Sequence, residues 1–212
     1  MKFGVNTFIW TESFTRENFA LLPSIKDAGF DGIEVSLFDP ATFAAADIRR
    51  GLDDHGLECT ICSVVGKDVN IISDNAATRS RASDHMKRVI ESATEVGAKI
   101  VAGPLYSPVG YLPGRRRTTD EWRWAVECYQ ELGPVLAAHG VTIAIEPLNR
   151  FETYFLNTAA DAVALCDQID HPHVGILFDT FHANIEEKNI AAAYRTVGRH
   201  LKHVHTCEND RG

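Results

Sequence analysis

Short apolar segments alternate with longer segments of helical periodicity along the whole chain, and this alternation constrains the fold more than any other feature of the sequence. The apolar segments are residues 2–6, 30–36, 57–64, 98–103, 141–147, 174–179 and 200–206. The helical segments are about 16–28, 41–55, 77–96, 118–139, 158–169 and 189–197. Seven strands that alternate with six helices predict parallel strands joined by right-handed crossovers. No change in composition marks a boundary, so we expect one domain over residues 1–212.

The strands favour a barrel over an open sheet covered on both faces, because one face of several strands is polar or small. In the fifth segment, Thr142, Ala144 and Glu146 alternate with β-branched residues. In the seventh segment the same alternation predicts that three residues share the inner face: Leu201, His203 and His205. Polar groups that point inward at carboxyl ends of strands are typical of a barrel active site. Because seven strands do not close an eight-stranded barrel, the sequence predicts an α/β fold, a (β/α)8 TIM barrel with the eighth βα unit absent from this chain.

Charge and composition exclude several classes of protein. The chain has 29 acidic and 21 basic residues, a net charge of −8, which argues against a nucleic-acid partner. We interpret the one basic cluster, residues 115–117, as a solvated loop. No apolar run reaches the length of a membrane span, and the first ten residues do not have the pattern of a signal peptide. Five scattered cysteines suit a reducing compartment, so we expect a cytoplasmic protein without a membrane partner.

Three candidate metal ligands follow the fifth, sixth and seventh strands, namely Glu146, Asp179 and His205. Two carboxylates and an imidazole form a mixed oxygen and nitrogen site for Mn²⁺, Co²⁺ or Mg²⁺. Each residue also has a structural interpretation: Glu146 as a buried charge held by Arg150, Asp179 as the cap of the next helix, and His205 as a core histidine. We interpret His203 as a packing residue or a support for the ligands. The convergence of all three residues at strand ends favours the metal site.

Several motifs resemble the ketose 3-epimerases, the D-tagatose/D-psicose 3-epimerase family of sugar isomerase TIM barrels. The motifs are IEPLNRFETYFLNT, FDTFHANIEEKNI and HVHTCENDRG, together with GVNTFIW and AGFDGIEVSLFDP near the start. The resemblance implies a divalent ion, Mn²⁺ first, held by Glu146, Asp179, His205 and a glutamate on the eighth strand. It also implies that Glu152, His182 and Arg211 bind the substrate. Phe8, with Trp10 and Phe38, is placed to form an apolar wall near the strand ends, although core packing explains these aromatic residues equally well.

The resemblance further implies epimerisation of a free ketose at C3 through a cis-enediolate, with Glu146 as one acid/base group. We expect the fourth ligand and the second catalytic carboxylate beyond Gly212, and a homodimer or homotetramer. One alternative is a related isomerase or dehydratase that acts on hydroxypyruvate or an inosose. A DNA-repair endonuclease would need more zinc ligands and a basic face. An inactive, truncated sugar-binding barrel also stays open.

Overall fold

The seven predicted strands are all present and lie in one parallel sheet. The computed structural model describes residues 1–208, in which the strands are β1 (Gly4–Asn6), β2 (Gly32–Ser36), β3 (Glu58–Cys62), β4 (Ile100–Gly103), β5 (Thr142–Ile145), β6 (Val174–Asp179) and β7 (Leu201–His205). They are hydrogen-bonded in sequence order from β1 to β7. This order, with helices on the outside, is that of a TIM barrel. Arg211, one of the seven residues predicted for the site, lies outside the described residues.

The helices follow the prediction with one addition. They are α1 (Leu22–Asp27), α2 (Ala45–His55), α3 (Ala76–Val96), α4 (Thr119–His139), α5 (Ala159–Ile169), α6 (Thr180–Glu186) and α7 (Ile190–Val197). A 3-10 helix, Arg16–Leu21, forms the first part of the segment predicted as one α-helix. The sequence analysis missed α6, because its seven residues directly follow β6 and are too few to show a helical period.

The ends of the helices carry the local signals that place the strands. Thr118 and Glu121 form a reciprocal capping box at the start of α4. Gly56, Gly97 and Gly140 each end a helix in the left-handed conformation, which glycine adopts without steric cost. The next strand starts two or three residues after each of these fixed turns, and so the turns set which side chains face the barrel axis.

Two separate apolar layers confirm the predicted alternation along the strands. Ile33 and Ile143 belong to the large core between the sheet and the helices. A second, small cluster consists of Ala102, Ala144 and Leu177, and its two alanines alternate with core residues along β4 and β5. The cluster therefore lies inside the barrel. Small side chains at this level leave room for the polar groups described below.

The prediction that Leu201 shares the inner face of β7 is wrong. The pairing of β6 with β7 shifts by one residue, since Leu201 lies opposite Ile176 whereas His203 lies opposite Leu177. Ile176 belongs to the outer core and Leu177 to the inner cluster, and Leu201 packs against the outer core. The extra residue between them forms a bulge, which reverses the alternation at that point. His203 and His205 face inward as predicted.

The structure also bears on the predicted surface and thiol chemistry. In the basic cluster, Arg115 pairs with Glu121 and Arg117 with Asp161, both at two nitrogen–oxygen contacts, so these two cations are anchored within the chain. All five cysteines are free thiols, as the sequence analysis expected. Between residues 1 and 208, no helix combines the length and the apolar character that crossing a membrane would require.

Candidate active site and metal centre

Glu146 directly follows β5 and its side chain is buried, with 6% of the residue exposed. Burial raises the pKa of its carboxyl to about 8; nearby His205 opposes this effect, while Asp179 adds to it. The backbone at Glu146 is held on both sides, because its N–H donates to the Gly103 carbonyl over 3.1 Å and its carbonyl accepts from the Tyr106 hydroxyl over 3.0 Å. Glu146 is therefore a rigidly placed carboxyl group that holds a proton more strongly than an exposed one.

The alternative interpretation of Glu146 as a charge held by Arg150 is wrong. Arg150 is directed away and forms a two-point ion pair with the buried carboxylate of Glu186, with both nitrogen–oxygen distances at 2.9 Å. The backbone N–H of Arg150 also donates to Glu186, over 2.7 Å. This pair anchors the loop after β5 to α6. Glu146 is left with its carboxyl group directed towards Asp179 and the histidines.

Asp179 ends β6 and uses its two carboxylate oxygens differently. Oδ1 accepts the N–H of Phe181 over 2.7 Å and caps α6, so the interpretation as a helix cap is correct for this oxygen. Oδ2 lies 3.7 Å from Nδ1 of His205 and 4.0 Å from Nε2 of His182. Burial raises the pKa of this carboxyl, but hydrogen bonding to His205 and the electrostatic interaction with His182 outweigh burial and lower it. The cap thus fixes an ionised carboxylate whose second oxygen faces the barrel interior.

His182 lies in α6, and its ring orientation is fixed from the loop after β5. Nδ1 accepts the backbone N–H of Asn149 over 3.1 Å, and a ring nitrogen that accepts carries no hydrogen. The hydrogen of the neutral ring is therefore on Nε2, which lies 3.5 Å from Oε1 of Glu146. His182 presents an N–H donor to the candidate site.

His205 ends β7 and faces the site with its other nitrogen. Nε2 lies 2.7 Å from Oε1 of Glu34, whereas Nδ1 faces Oδ2 of Asp179. Burial lowers the pKa of the ring, but the hydrogen bonds to Asp179 and Glu34 outweigh it and raise the pKa to about 11. His203, two residues earlier, contacts the second oxygen of Glu34 at 2.8 Å, which agrees with a supporting role.

Among residues 1–208, two groups of side chains have the geometry to hold a cation, and the predicted triad spans both. One group is Glu146, Asp179 and His182; the other is Glu34, His203 and His205; within each, the candidate ligand atoms lie within 4.8 Å of one another. His205 reaches the first group through its contact with Asp179. Two ligands of one ion, each bonded at about 2.0–2.3 Å, are separated by at most about 4.6 Å, so the 3.7 Å between His205 and Asp179 fits a shared ion. The donor set of carboxylate oxygens and imidazole suits Mn²⁺, Co²⁺ or Mg²⁺.

The residues predicted to bind substrate lie at the same end of the barrel, except Arg211, which falls outside the described residues. Glu152 is half-buried, and its Oε1 accepts the side-chain N–H of Asn149 over 2.9 Å. Phe8 is 40% exposed and stacks on Phe38 with ring centroids 5.6 Å apart. Both rings of this pair are exposed, so core packing does not explain it, and the apolar wall stays a prediction.

Sequence reasoning did not assign roles to Asn149, Tyr106 and Glu34, all of which are buried. Glu34 could have been found, because the alternation in β2 already places it on the inner face. The contacts of Asn149 and Tyr106 include backbone groups. The N–H of Asn149 donates to His182, and the carbonyl of Glu146 accepts from the Tyr106 hydroxyl. Such contacts leave no pattern in a sequence, so no signal pointed to them.

Comparisons with known proteins identify the family of the chain. The model of the family described as xylose isomerase-like TIM barrel matches residues 22–212. A probable ketose 3-epimerase of Synechocystis is 32% identical over the whole chain, which covers 74% of that protein. A D-psicose 3-epimerase of Ruminiclostridium cellulolyticum is 30% identical, with 73% of it covered. A crystal structure of a D-psicose 3-epimerase in the presence of D-fructose superposes with a TM-score of 0.89 at 30% identity, and the chain covers 75% of that structure.

Proposed function

Because the chain belongs to the ketose 3-epimerases within the xylose isomerase-like TIM-barrel family, we propose that it inverts the configuration of free ketoses at C3. The observation that carries the proposal is the meeting of Glu146, Asp179, His182 and His205 at the carboxyl ends of β5, β6 and β7. This is the face of a TIM barrel on which catalytic residues lie.

Glu146, Asp179 and His205 would hold a divalent cation, Mn²⁺ first and Co²⁺ or Mg²⁺ as alternatives. When bound, the cation would polarise the C2 carbonyl of the ketose and stabilise the charge of a cis-enediolate. The bonding of Asp179 supports its part in this site. Its capping bond at Oδ1 prevents rotation of the carboxylate, and Oδ2 then faces the position shared with Nδ1 of His205.

Glu146 would transfer the proton at C3. Burial makes its carboxylate a stronger base than an exposed glutamate, and its backbone is fixed by Gly103 and Tyr106. The second carboxylate, on the opposite face of C3, is expected from the family resemblance alone.

His182 and Glu152 would hold the oxygen atoms of the ketose at the reacting end. Nε2–H of His182 is a donor for a sugar oxygen, and Asn149 links the two side chains by contacting His182 at 3.0 Å and Glu152 at 2.9 Å. Phe8 and Phe38 would cover the far end of the sugar. Arg211 keeps its predicted role as a further donor, and the homodimer or homotetramer stays a prediction.

The test is exchange of the C3 hydrogen with solvent deuterium. The protein is loaded with Mn²⁺ and incubated in deuterium oxide with D-fructose, D-psicose, D-tagatose or L-ribulose, and deuterium at C3 is measured by NMR. Glu146→Gln should abolish exchange, because an amide cannot take the proton. Glu127→Gln is the matched control, since Glu127 is exposed on α4 and pairs with Arg123 across one helical turn.

Wild-type exchange at C3 that is lost in Glu146→Gln and kept in Glu127→Gln would support the proposal. Undiminished exchange in Glu146→Gln would remove Glu146 from proton transfer. Hydroxypyruvate and an inosose belong in the same panel. Turnover of either one without ketose exchange would replace the epimerase with the related isomerase or dehydratase.

A further inference from the structure

Glu34 and His205 are joined across the inside of the barrel. Glu34 lies in the middle of β2 and is 4% exposed, and His205 ends β7. These strands are separated by four others in the sheet, yet Oε1 of Glu34 lies 2.7 Å from Nε2 of His205. The contact is therefore made through the interior rather than along the sheet.

This hydrogen bond determines which nitrogen of His205 carries a hydrogen. An ionised carboxylate can only accept hydrogen bonds, so Nε2 of His205 must donate. Nδ1 is then the nitrogen with an available electron pair when the ring is neutral, and it lies 3.7 Å from Oδ2 of Asp179. Glu34 thus orients the ring of His205 towards the candidate metal centre, from the side of the ring that faces away from that centre.

Glu34 is in turn held by three further donors from three strands. Asn6 donates to Oε1 over 2.9 Å, Thr60 donates to Oε2 over 3.1 Å, and Nε2 of His203 lies 2.8 Å from Oε2. With His205, four donors surround the two oxygens. The carboxylate has no freedom to turn, so the orientation that it gives to His205 is fixed before any ligand arrives.

We propose that Glu34 is a positioning residue for His205, which it holds with Nδ1 directed at the metal ion. The inference rests on the proposed metal centre and adds to it a group that does not touch the ion. Histidine ligands usually donate their second N–H to a carboxylate, which fixes the ring and makes the ligand more basic. A separate cation bound by Glu34, His203 and His205 is the less favoured interpretation, because both Nε2 atoms must lose their hydrogens and the carboxylate its donors.

The test compares Mn²⁺ affinity, measured from the electron paramagnetic resonance signal of free Mn²⁺, in three proteins. Glu34→Gln keeps the shape of the side chain but removes its charge, and it should weaken Mn²⁺ binding about 10- to 100-fold. Thr60→Val is the matched control, because it removes one hydrogen bond to the Glu34 oxygen that does not face His205. Its affinity should stay within about threefold of the wild type.

A second measurement does not depend on Glu34→Gln. In the Mg²⁺-loaded protein, nitrogen-15 NMR of the histidine side chains should show His205 with hydrogen on Nε2 and none on Nδ1. His205→Gln assigns the signals. This readout decides the proposal even if Glu34→Gln does not fold, which circular dichroism will show.

Four outcomes would overturn the inference. The first is a hydrogen on Nδ1 of His205 in the loaded protein. The second and third are an unchanged Mn²⁺ affinity in folded Glu34→Gln, and a loss of Mn²⁺ affinity in Thr60→Val equal to that in Glu34→Gln. The fourth is two bound Mn²⁺ ions in the wild type, of which one disappears in Glu34→Gln. The proposed function survives each of these results. A wild-type protein that binds no Mn²⁺ would overturn both the inference and the metal-dependent function.

Discussion

The backbone N–H of Asn149 donates to Nδ1 of His182 over 3.1 Å, and this one contact separates the roles of the two histidines near Asp179. His182 presents Nε2–H, a donor, towards Glu146. His205 donates through Nε2 to Glu34 and presents Nδ1, a ligand atom, towards Asp179. When the ion is bound, the two rings would thus meet the same carboxylate in opposite tautomers. His182 therefore cannot serve as the nitrogen ligand beside Glu146 and Asp179. His205 takes that position in the ligand set that we propose.

The first prediction compares matched substitutions of these two histidines. His205→Gln should weaken Mn²⁺ binding at least about tenfold, because a ligand is lost. His182→Gln should leave Mn²⁺ affinity within about threefold and raise KM for the ketose instead, because it removes a donor to the sugar. Titration of both variants with Mn²⁺ checks the assignment. A larger loss of affinity in His182→Gln would make Glu146, Asp179 and His182 the ligand set.

The second prediction concerns protons released when the ion binds. Below pH 8, Glu146 in the metal-free protein holds a proton, and His205 holds one on each ring nitrogen. Ligation requires the carboxylate and the free electron pair of Nδ1, so binding at pH 7 should release about two protons per ion. Mn²⁺ affinity should therefore rise as the pH rises from 6 to 8. Calorimetry in two buffers of different ionisation enthalpy measures the count.

The control for proton release is Glu146→Gln, which has no carboxyl proton to lose. It should release about one proton fewer per ion than the wild type under the same conditions. An equal count in both proteins would mean that Glu146 is already ionised before the ion binds.

The third prediction concerns the stability of the metal-free protein. The pKa of Glu146 rises from about 4.5 to about 8 on folding, so between these values the folded protein keeps a proton that the unfolded chain has released. The free energy of unfolding therefore falls as the pH rises through this window. Glu146→Gln has no such loss. The Tm of the variant minus that of the wild type should increase by at least about 2 °C between pH 5 and pH 8.

Thermal unfolding in the presence of a chelator at several pH values measures this difference. Glu127→Gln again serves as the control, because its exposed side chain gives no reason for a pH-dependent difference. A Tm difference for Glu146→Gln that is constant from pH 5 to pH 8 would contradict the raised pKa.

The order of the strands and the inward position of Glu146 could be predicted from the sequence because both depend on local periodicity. The alternation of small and β-branched residues in β5 fixes which side faces the barrel, and the glycines that end α2, α3 and α4 fix where β3, β4 and β5 begin. Asp179 could be placed at the end of β6 for the same reason. Each of these features depends on a few consecutive residues, so it can be predicted from a single sequence.

The arrangement at β7 could not be predicted in this way. The bulge before His203 depends on how β7 pairs with β6, and it reverses the alternation without a glycine or proline in β7 itself to mark it. The partner of His205 is Glu34, which is 171 residues away in sequence. Such a contact forms only when the chain folds and brings strands that are distant in sequence together. The pattern placed His203 and His205 correctly but misplaced Leu201, because the two histidines follow the bulge.

The last prediction uses two buried tyrosines that make the same type of bond. The hydroxyl of Tyr106 donates to the carbonyl of Glu146 over 3.0 Å, and that of Tyr129 donates to the carbonyl of Leu105 over 3.1 Å. Both rings are fully buried. Tyr106→Phe and Tyr129→Phe should each lower the free energy of unfolding by about 1–3 kcal/mol, because each leaves a buried carbonyl without its donor.

Only Tyr106→Phe should also lower kcat, since it alone releases the backbone of the residue that transfers the proton, and a small displacement of a catalytic group is costly. Denaturant unfolding and ketose epimerisation are measured on both variants at the same Mn²⁺ concentration. Because Tyr129→Phe should lose a similar amount of stability, a fall in kcat that occurs in Tyr106→Phe alone cannot be due to destabilisation. If kcat fell equally in the two variants, the bond from Tyr106 would support the fold alone, and the position of Glu146 would depend on its N–H bond to Gly103.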